Sequence, residues 1–485
     1  MCFRAERRIK KGLPGPIIPA GRNRMNEGNI YMNFELNSKA ILTCLGATTR
    51  QAVKQYLTIP NPKYQDAVKQ GRYSGGIDRE LRFYEESAEG LVCPRGCASK
   101  LYRLCERMGE SIQLVDNRRT LSPVDFTFAG DLRPLQEQAV TDVLRRDSGL
   151  LEAGTGAGKT VMGLWIIAER GQPALIIVHT KELLTQWIDR IENFLGIPRA
   201  DIGIIGGGKF SIGNKITVAT IQSLYKRVDE VVPHVGHLVV DETHRAPSRM
   251  FTEAVSAFDA RYRLGLTATP WRRDGLSKVI FWYVGDVTGR IDKHDLVQAG
   301  NLCRAEVHWV ETGFYPFADA SAEYSKALSE LTEDADRNRL ICKTVSENNG
   351  HGVSLILSDR KAHCVTLQNI LSDAHGIQAE VFTGSAGPKD RERIITALQD
   401  GECRYLIATG QLIGEGFDLP GISTVFLGTP VKFSGRLIQY VGRALRPAPG
   451  KDKAMIFDFV DSHGVFEASA KARAYTYGQQ GIQIA

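Results

Sequence analysis

Short apolar runs alternate with amphipathic stretches through the middle of the chain. Pro173–His179 (PALIIVH) is continuously apolar, the pattern of a parallel strand buried on both faces. Lys181–Leu195 carries Leu183, Leu184, Trp187, Ile188 and Ile191 at helical spacing, which predicts a helix whose apolar face is core. Ile216–Leu224, His237–Val240 and Tyr262–Pro270 repeat the strand pattern, while the glycine-rich residues 203–208 read as a loop. After a more polar stretch at 271–345 the alternation resumes. Val353–Leu357, Glu380–Phe382, Tyr405–Ala408, Thr424–Leu427 and Ala454–Phe459 read as strands. Lys361–Leu371, Asp390–Leu398 and Arg436–Arg446 read as helices between them. Strands alternating with helices predict an α/β protein with two tandem parallel-sheet domains. No sequence repeat relates the two halves.

Residues 28–125 do not share this alternation. Ile30–Leu36 reads as a strand, and Arg50–Tyr56 and Leu101–Met108 as helices, which predicts a small α+β N-terminal domain. Tyr64, Lys69, Arg72, Tyr73, Arg79, Arg82, Phe83 and Tyr84 interleave rings with cations. That mixture can stack on bases and meet phosphates, or serve as packing with a solvated face. The expected divisions are a basic arm or start-site artefact at 1–27, an accessory domain at 28–125, and a first α/β domain at 126–300. A connector at 301–345, a second α/β domain at 346–467 and a tail at 468–485 follow.

Charge narrows the picture. Arg4, Arg7, Arg8, Lys10, Lys11, Arg22 and Arg24 against Glu6 account for the whole net charge of +6. The rest of the chain is neutral overall, so any footprint for a polyanion on it must be local. At 485 residues, 43% hydrophobic and 24% charged, the chain reads as a multidomain globular protein. No apolar run has membrane-spanning length and no signal peptide is visible, so a cytoplasmic protein is expected. Cys93 and Cys97 form an isolated C-x₃-C, with Cys105 nearby as a third thiol that leaves zinc as a minor reading.

The chemistry concentrates at strand ends. Leu150–Thr160 (LLEAGTGAGKT) runs from an apolar segment through glycines into an apolar-periodic stretch, the strand, loop and helix of a phosphate-binding loop. Gly154, Thr155, Gly156 and Gly158 would let successive N–H groups face one anion. Lys159 would reach the β- and γ-phosphates of ATP, and Thr160 would ligate Mg²⁺. Ala153 stands where the strict pattern has glycine. His237–Val240 runs directly into Asp241 and Glu242, which suit a metal ligand and a residue polarising the attacking water. Gln136, just after Arg133-Pro134, has an amide that matches the N7 and N6 edge of adenine, or caps a helix. Arg443 and Arg446 lie three apart on one helix face. There they can act as arginine fingers on a γ-phosphate, or form a solvated basic face.

In this order the motifs resemble those of the superfamily 2 helicases of the DEAD/DEAH-box class. Ala153–Thr160 resembles motif I, Asp241-Glu-Thr-His244 motif II, Thr267-Ala-Thr269 motif III, Thr409–Asp418 motif V and Gln439–Arg446 motif VI. The flavour is that of XPB-type repair helicases, with a similar charged stretch at Arg272-Arg-Asp274, and of type III restriction enzyme motor subunits. The resemblance implies two RecA-like domains with ATP in the cleft between them and DNA or RNA lying across both. It implies backbone contacts from Thr180, Thr220, Gln222, Gly384 and Thr409. It further implies ribose contacts from Gly416 and Asp418, and coupling through Thr267 and Thr269. It also suggests a bacterial, phage or mobile-element setting. Thr243 departs from the usual Ala or Cys. The expected activity is an ATP-driven nucleic-acid motor, DNA more than RNA. The alternatives are a duplex translocase working with a nuclease or a repair or defence partner, and a nucleotide-switched binding scaffold.

Overall fold

The computed structural model describes residues 31–485 except 155, 244–248, 272–274, 349–351, 385, 411–420, 432–436, 438–439, 443, 446–450, 452 and 480. The chain divides into two compact units. One holds the residues before 154 together with Gly158–Ile291, the other Gly154–Ala157 and Asp292–Ala485.

The first unit opens with a small mixed domain. Its elements are β1 (Met32–Leu36), β2 (Lys39–Thr43), α1 (Ala47–Tyr56), β3 (Thr58–Pro60), α2 (Pro62–Lys69), β4 (Glu80–Arg82), β5 (Glu85–Glu86), β6 (Gly90–Pro94), α3 (Ala98–Arg107) and β7 (Ile112–Asp116). The sheet order is β5-β6-β2-β1-β7, with β1 antiparallel to β2 and parallel to β7. Met32, Phe34 and Leu36 alternate inward along β1, as a strand with one buried face requires. Cys93, Cys97 and Cys105 belong to this core. Burial pushes Cys93 up to about 12 and Cys105 up to about 11, so both are neutral thiols. No group of three or more His, Cys, Asp or Glu among the described residues is placed to hold a metal ion.

The larger sheet of this unit is built from α4 (Pro134–Leu144), β8 (Ser148–Ala153), α5 (Lys159–Arg170), β9 (Ala174–Val178), α6 (Lys181–Leu195), β10 (Gly203–Gly206), β11 (Lys209–Phe210), β12 (Ile216–Thr220), α7 (Ile221–Tyr225), α8 (Val228–Val231), β13 (His237–Val240), α9 (Arg249–Ala257), β14 (Tyr262–Thr267), α10 (Ser277–Tyr283) and β15 (Val287–Ile291). Its order is β11-β10-β12-β9-β13-β14-β8-β15, parallel throughout except at β11. Two expectations are corrected. Residues 203–208, read as a loop, begin with strand β10, which the pattern hid because the strand is only four residues long and its Ile pair is flanked by glycine. The run Ile216–Leu224 is a strand only to Thr220, where Thr220 and Ser223 pair through their hydroxyls at 3.0 Å and α7 begins.

The small domain shares its core with the helix α10 that flanks this sheet. Val279 and Trp282 of α10 complete its core. A side chain at Gly96 would come within 2.6 Å of the Trp282 carbonyl oxygen, so glycine is needed where the turn before α3 meets α10. Phe83 packs on Trp282 at 5.1 Å, and Arg79 lies over the ring of Tyr64, so part of the interleaved aromatic and basic run is packing. Tyr73 remains 90% exposed.

The second unit comprises α11 (Lys293–Gln298), β16 (Arg304–Glu311), α12 (Tyr324–Glu333), α13 (Ala335–Glu347), β17 (Val353–Ser358), α14 (Lys361–His375), β18 (Ala379–Phe382), α15 (Pro388–Gln399), β19 (Tyr405–Thr409), β20 (Ile422–Leu427), β21 (Lys453–Val460), α16 (Gly464–Gln479) and β22 (Gln483–Ile484). Its sheet is parallel, in the order β18-β19-β17-β20-β21-β16-β22. The segment 301–345, expected as a connector, supplies β16, paired along its whole length with β21. Only Val307 of its eight residues is buried, so no apolar run announced it. The segment 468–485, expected as a tail, is also part of the unit. Arg473 of α16 binds Asp458 through three hydrogen bonds of 2.8–3.1 Å, and the Tyr477 hydroxyl donates to the same carboxylate at 2.9 Å. Among the described residues no helix is long and apolar enough to cross a membrane.

Asp458 has no exposure, so removing its guanidinium partner strands a charge in the core. Arg473→Ala should destabilise the second unit by about 3–5 kcal/mol in urea unfolding of the full chain. Lys471→Ala, which breaks the exposed pair with Glu467 one turn away, should leave the transition in place. Equal midpoints for the two variants would contradict the structural role of α16.

Candidate active site

Parallel strands send their carboxyl ends to one edge of a sheet, and that is where ligand contacts collect in open α/β folds. In the first unit β13 lies between β9 and β14, and β14 lies beside β8. Asp241 and Glu242 follow β13, Thr267 ends β14, the glycine loop follows β8, and Thr180 follows β9. In register, Val240 sits between Ile177 and Gly265, and Thr267 opposite Glu152. These residues are therefore neighbours, although the chain separates them by up to about a hundred positions.

The loop is shaped by two left-handed glycines, Gly156 at φ 89° and Gly158 at φ 84°. Gly158 opens α5 and has a second reason to lack a side chain, since a Cβ there would lie 2.5 Å from the Gln136 amide nitrogen. Gln136 sits in the first turn of α4 after Pro134. It is buried, and its Oε1 accepts from the Arg133 N–H at 2.9 Å, which turns the amide nitrogen toward the loop. Sequence separates Gln136 from the loop by about twenty residues, and packing of α4 on α5 closes that gap. Ala153, in place of the usual glycine, is the fully buried last residue of β8. Lys159 Nζ donates to the Ala153 carbonyl at 3.0 Å, so the loop's two ends are tied together. Gly154 accepts from the Ala157 N–H at 3.1 Å. Thr160 is half-buried in the first turn of α5.

Asp241 is buried at the tip of β13. One carboxylate oxygen accepts from the Trp187 indole N–H at 2.9 Å and the other from the Glu242 backbone N–H at 2.9 Å. Burial, and then the adjacent Glu242 carboxylate, push Asp241 above the ordinary carboxylate range, against the opposing pull of Trp187 and Lys159. Glu242 has φ 49°, a left-handed conformation that costs a non-glycine residue roughly 1–3 kcal/mol. Thr243 is fully buried, with its hydroxyl 3.1 Å from the Val240 carbonyl and 3.0 Å from that of Leu266. It ties the end of β13 to the end of β14, a role that the smaller Ala or Cys lacks. Thr267 in turn closes its own turn, donating to the Thr269 carbonyl at 2.8 Å and accepting from the Thr269 N–H at 3.1 Å.

Trp187 was assigned to the core on spacing alone. It is buried, but its indole also fixes the site carboxylate. The available signal was a lone indole in an aliphatic stripe, because a buried Trp N–H nearly always has a partner. Thr180 caps α6 by accepting from the Leu183 N–H at 3.3 Å. Gln222 is exposed on α7. In the second unit Gly384 is exposed just after β18, and Thr409 ends the neighbouring β19 opposite Ser358. Thr155, the stretch 272–274, Gly416, Asp418, Arg443 and Arg446 lie outside the described residues.

The donor set fits magnesium. Thr160 and Asp241 offer hard oxygen ligands, and the buried Asp241–Glu242 pair carries a charge that a cation would offset. The arrangement is that of a P-loop nucleoside-triphosphate hydrolase. Residues 129–272 match the res subunit family of type III restriction enzymes, and residues 336–448 match the helicase conserved C-terminal domain. The chain belongs to the superfamily 2 helicases and is an ATP-dependent helicase or translocase. It is 25% identical to a protein of Acanthamoeba polyphaga mimivirus described as an ATP-dependent RNA helicase, over 74% of this chain and 70% of that one. It is 25% identical to a protein of Escherichia phage T5 described as a helicase, over 78% and 82%. It is 28% identical to the DNA 3'-5' translocase XPB2 of Sulfurisphaera tokodaii, over 68% and 81%.

Lys159→Ala should lower ATP turnover by at least about 100-fold, as expected when one fixed cation or donor facing the transferred phosphoryl group is lost. A phosphate-release assay that finds near wild-type turnover would contradict the site.

Proposed function

We propose that the chain is a DNA helicase that hydrolyses ATP to move along DNA and separate its strands. The observation that carries this reading is the Asp241–Glu242 pair held at the tip of β13, one strand from the edge where the glycine loop leaves β8. A nucleotide switch needs a loop, but not a carboxylate poised to polarise water.

In this reading Gln136 reads the adenine. Gly154, Thr155, Gly156 and Gly158 cradle the phosphates, and Lys159 neutralises the β- and γ-groups. Thr160 and Asp241 would hold Mg²⁺, which when bound offsets charge on the phosphates. Glu242 orients and polarises the attacking water. Arg443 and Arg446 of the second domain meet the γ-phosphate, with Gly416 and Asp418 near the ribose. Thr180, Thr220, Gln222, Gly384 and Thr409 touch the strand backbone, and Thr267 and Thr269 couple the two events. DNA is favoured over RNA because of the likeness to a DNA translocase, and phosphate contacts should make binding salt-sensitive with little sequence preference. A nuclease or a repair or defence protein is the partner class this reading allows.

The test is unwinding of a forked DNA duplex with ATP. The wild-type chain should release the displaced strand. Arg443→Ala should bind ATP but lose hydrolysis and unwinding together. ATP consumption stimulated by duplex without strand release would instead make the chain a duplex translocase. Unwinding of forked RNA alone would overturn the choice of DNA.

A further inference from the structure

The small N-terminal domain meets the large sheet of the first unit around a cavity of about 450 Å³. It lies at the amino ends of β8 and β15, lined there by Ser148 and Val287. The glycine loop leaves the opposite end of β8, about 20 Å away at roughly 3.3 Å per residue. The nucleotide site does not account for it.

Five arginines line this cavity, Arg95, Arg103, Arg118, Arg145 and Arg146, against three aspartates. The aspartates are already engaged. Asp147 pairs with Arg118 at 3.0 Å, Asp142 with Arg145 at 2.9 Å, and Asp286 with Lys100. Arg118 also binds Asp116 at 2.7 Å.

Arg95 is the unusual member. It is only 5% exposed. One terminal nitrogen donates to the Asn37 carbonyl at 3.1 Å, while the other, Nη2, is buried without a hydrogen-bond partner. Burial and the like charges of Arg263 and Arg118 oppose its charge, outweighing the weaker favourable pull of Asp116 and Asp259. A buried guanidinium with an unused donor is costly unless a counter-charge arrives from elsewhere. The turn carrying Arg95 leads into the ten-residue helix α3. That helix has no side-chain cap and no acidic residue in its first turn, and Gly96, Ala98 and Ser99 face the cavity. The Ala98 N–H already donates to the Arg95 carbonyl, so the helix start contributes positive potential on the same side as Arg95. Arg103 and Arg146 stand exposed at the rim.

We propose that this cavity is a second anion site, built for a phosphate group, with Arg95 at its floor and Arg103 and Arg146 at its mouth. The phosphate belongs either to a nucleic-acid strand or to a free phosphate compound. Seated there, it would supply the counter-charge and partner that Arg95 Nη2 lacks, in the positive potential of the helix start. A strand phosphate would extend the track of the motor onto the small domain. A free phosphate would instead brace the junction between the two subdomains.

The test uses the full chain with its nucleotide site saturated by a non-hydrolysable ATP analogue. Inorganic phosphate is titrated calorimetrically against sodium chloride of equal ionic strength. The wild type should bind one phosphate, and Arg95→Met should weaken that binding about tenfold or more. The double variant Arg103→Ala/Arg146→Ala changes only exposed side chains and should weaken it too, which keeps the test valid if Arg95→Met misfolds. A second arm measures binding of a single-stranded oligonucleotide across salt. If the phosphate is a strand's, both variants lose affinity for the strand and its log–log salt slope falls by about one. If it is a free compound, strand binding is unchanged while phosphate binding is lost. No phosphate beyond the nucleotide site together with unchanged strand binding overturns the proposal, as does phosphate binding that survives both variants.

Discussion

The indole of Trp187 donating to Asp241 is the contact on which the chemistry of the first unit depends. Asp241 is carried on β13, a strand with β9 on one side and β14 on the other and buried along its whole length. Such a strand positions its tip rigidly, but it also draws the carboxylate out of water. The Trp187 N–H and the Glu242 backbone N–H hold its two oxygens, and Lys159 at the start of α5 offsets part of the charge. Thr243 then joins the end of β13 to β14. The buried sheet supplies precision, and the few polar contacts at its edge make burial of a carboxylate pair tolerable.

The same trade recurs elsewhere. In the second unit Asp461 and Arg337 are both fully buried and paired at 2.8 Å, with Arg337 also donating to the Gly428 carbonyl at 2.6 Å. This fixes α13 against the ends of β20 and β21. Asp458 and Arg473 fix α16 in the same way. His363 lies between Ser358 and Asn338, and burial holds it down to about 3, so it is neutral at ordinary pH. Where each buried charge has its counter-charge, the account closes within the chain. Arg95 instead donates to a backbone carbonyl and leaves Nη2 without a partner.

The glycine loop and the paired carboxylates were legible because left-handed glycines at 156 and 158 and a polar pair directly after a buried apolar run are local features that spacing alone exposes. The central strands were legible for a related reason, since burial on both faces writes an unbroken apolar run. Elements specified by their neighbours were not legible. β16 buries one residue of eight and is a strand because β21 pairs with it. β10 is framed by Gly203, where a side chain would meet Gly213 and Thr217, and by Gly206, where it would meet Leu184 and Thr220. α16 shows no marked apolar stripe and is held by a buried ion pair. Trp187 carried two roles, and only packing shows the second. Gln136 was read as an adenine contact, but its close approach to Gly158 was not legible, since it arises from α4 packing on α5.

On the proposed function, ATP hydrolysis at this site answers to nucleic acid. That coupling is tested most directly by steady-state ATP turnover of the purified full chain alone and with single-stranded DNA, duplex DNA, forked DNA or RNA. A low basal rate should rise at least about tenfold with a DNA polymer, at physiological salt, and fall back as salt displaces the strand. A rate indifferent to every polymer would contradict it, leaving an ATPase whose hydrolysis is not coupled to a track.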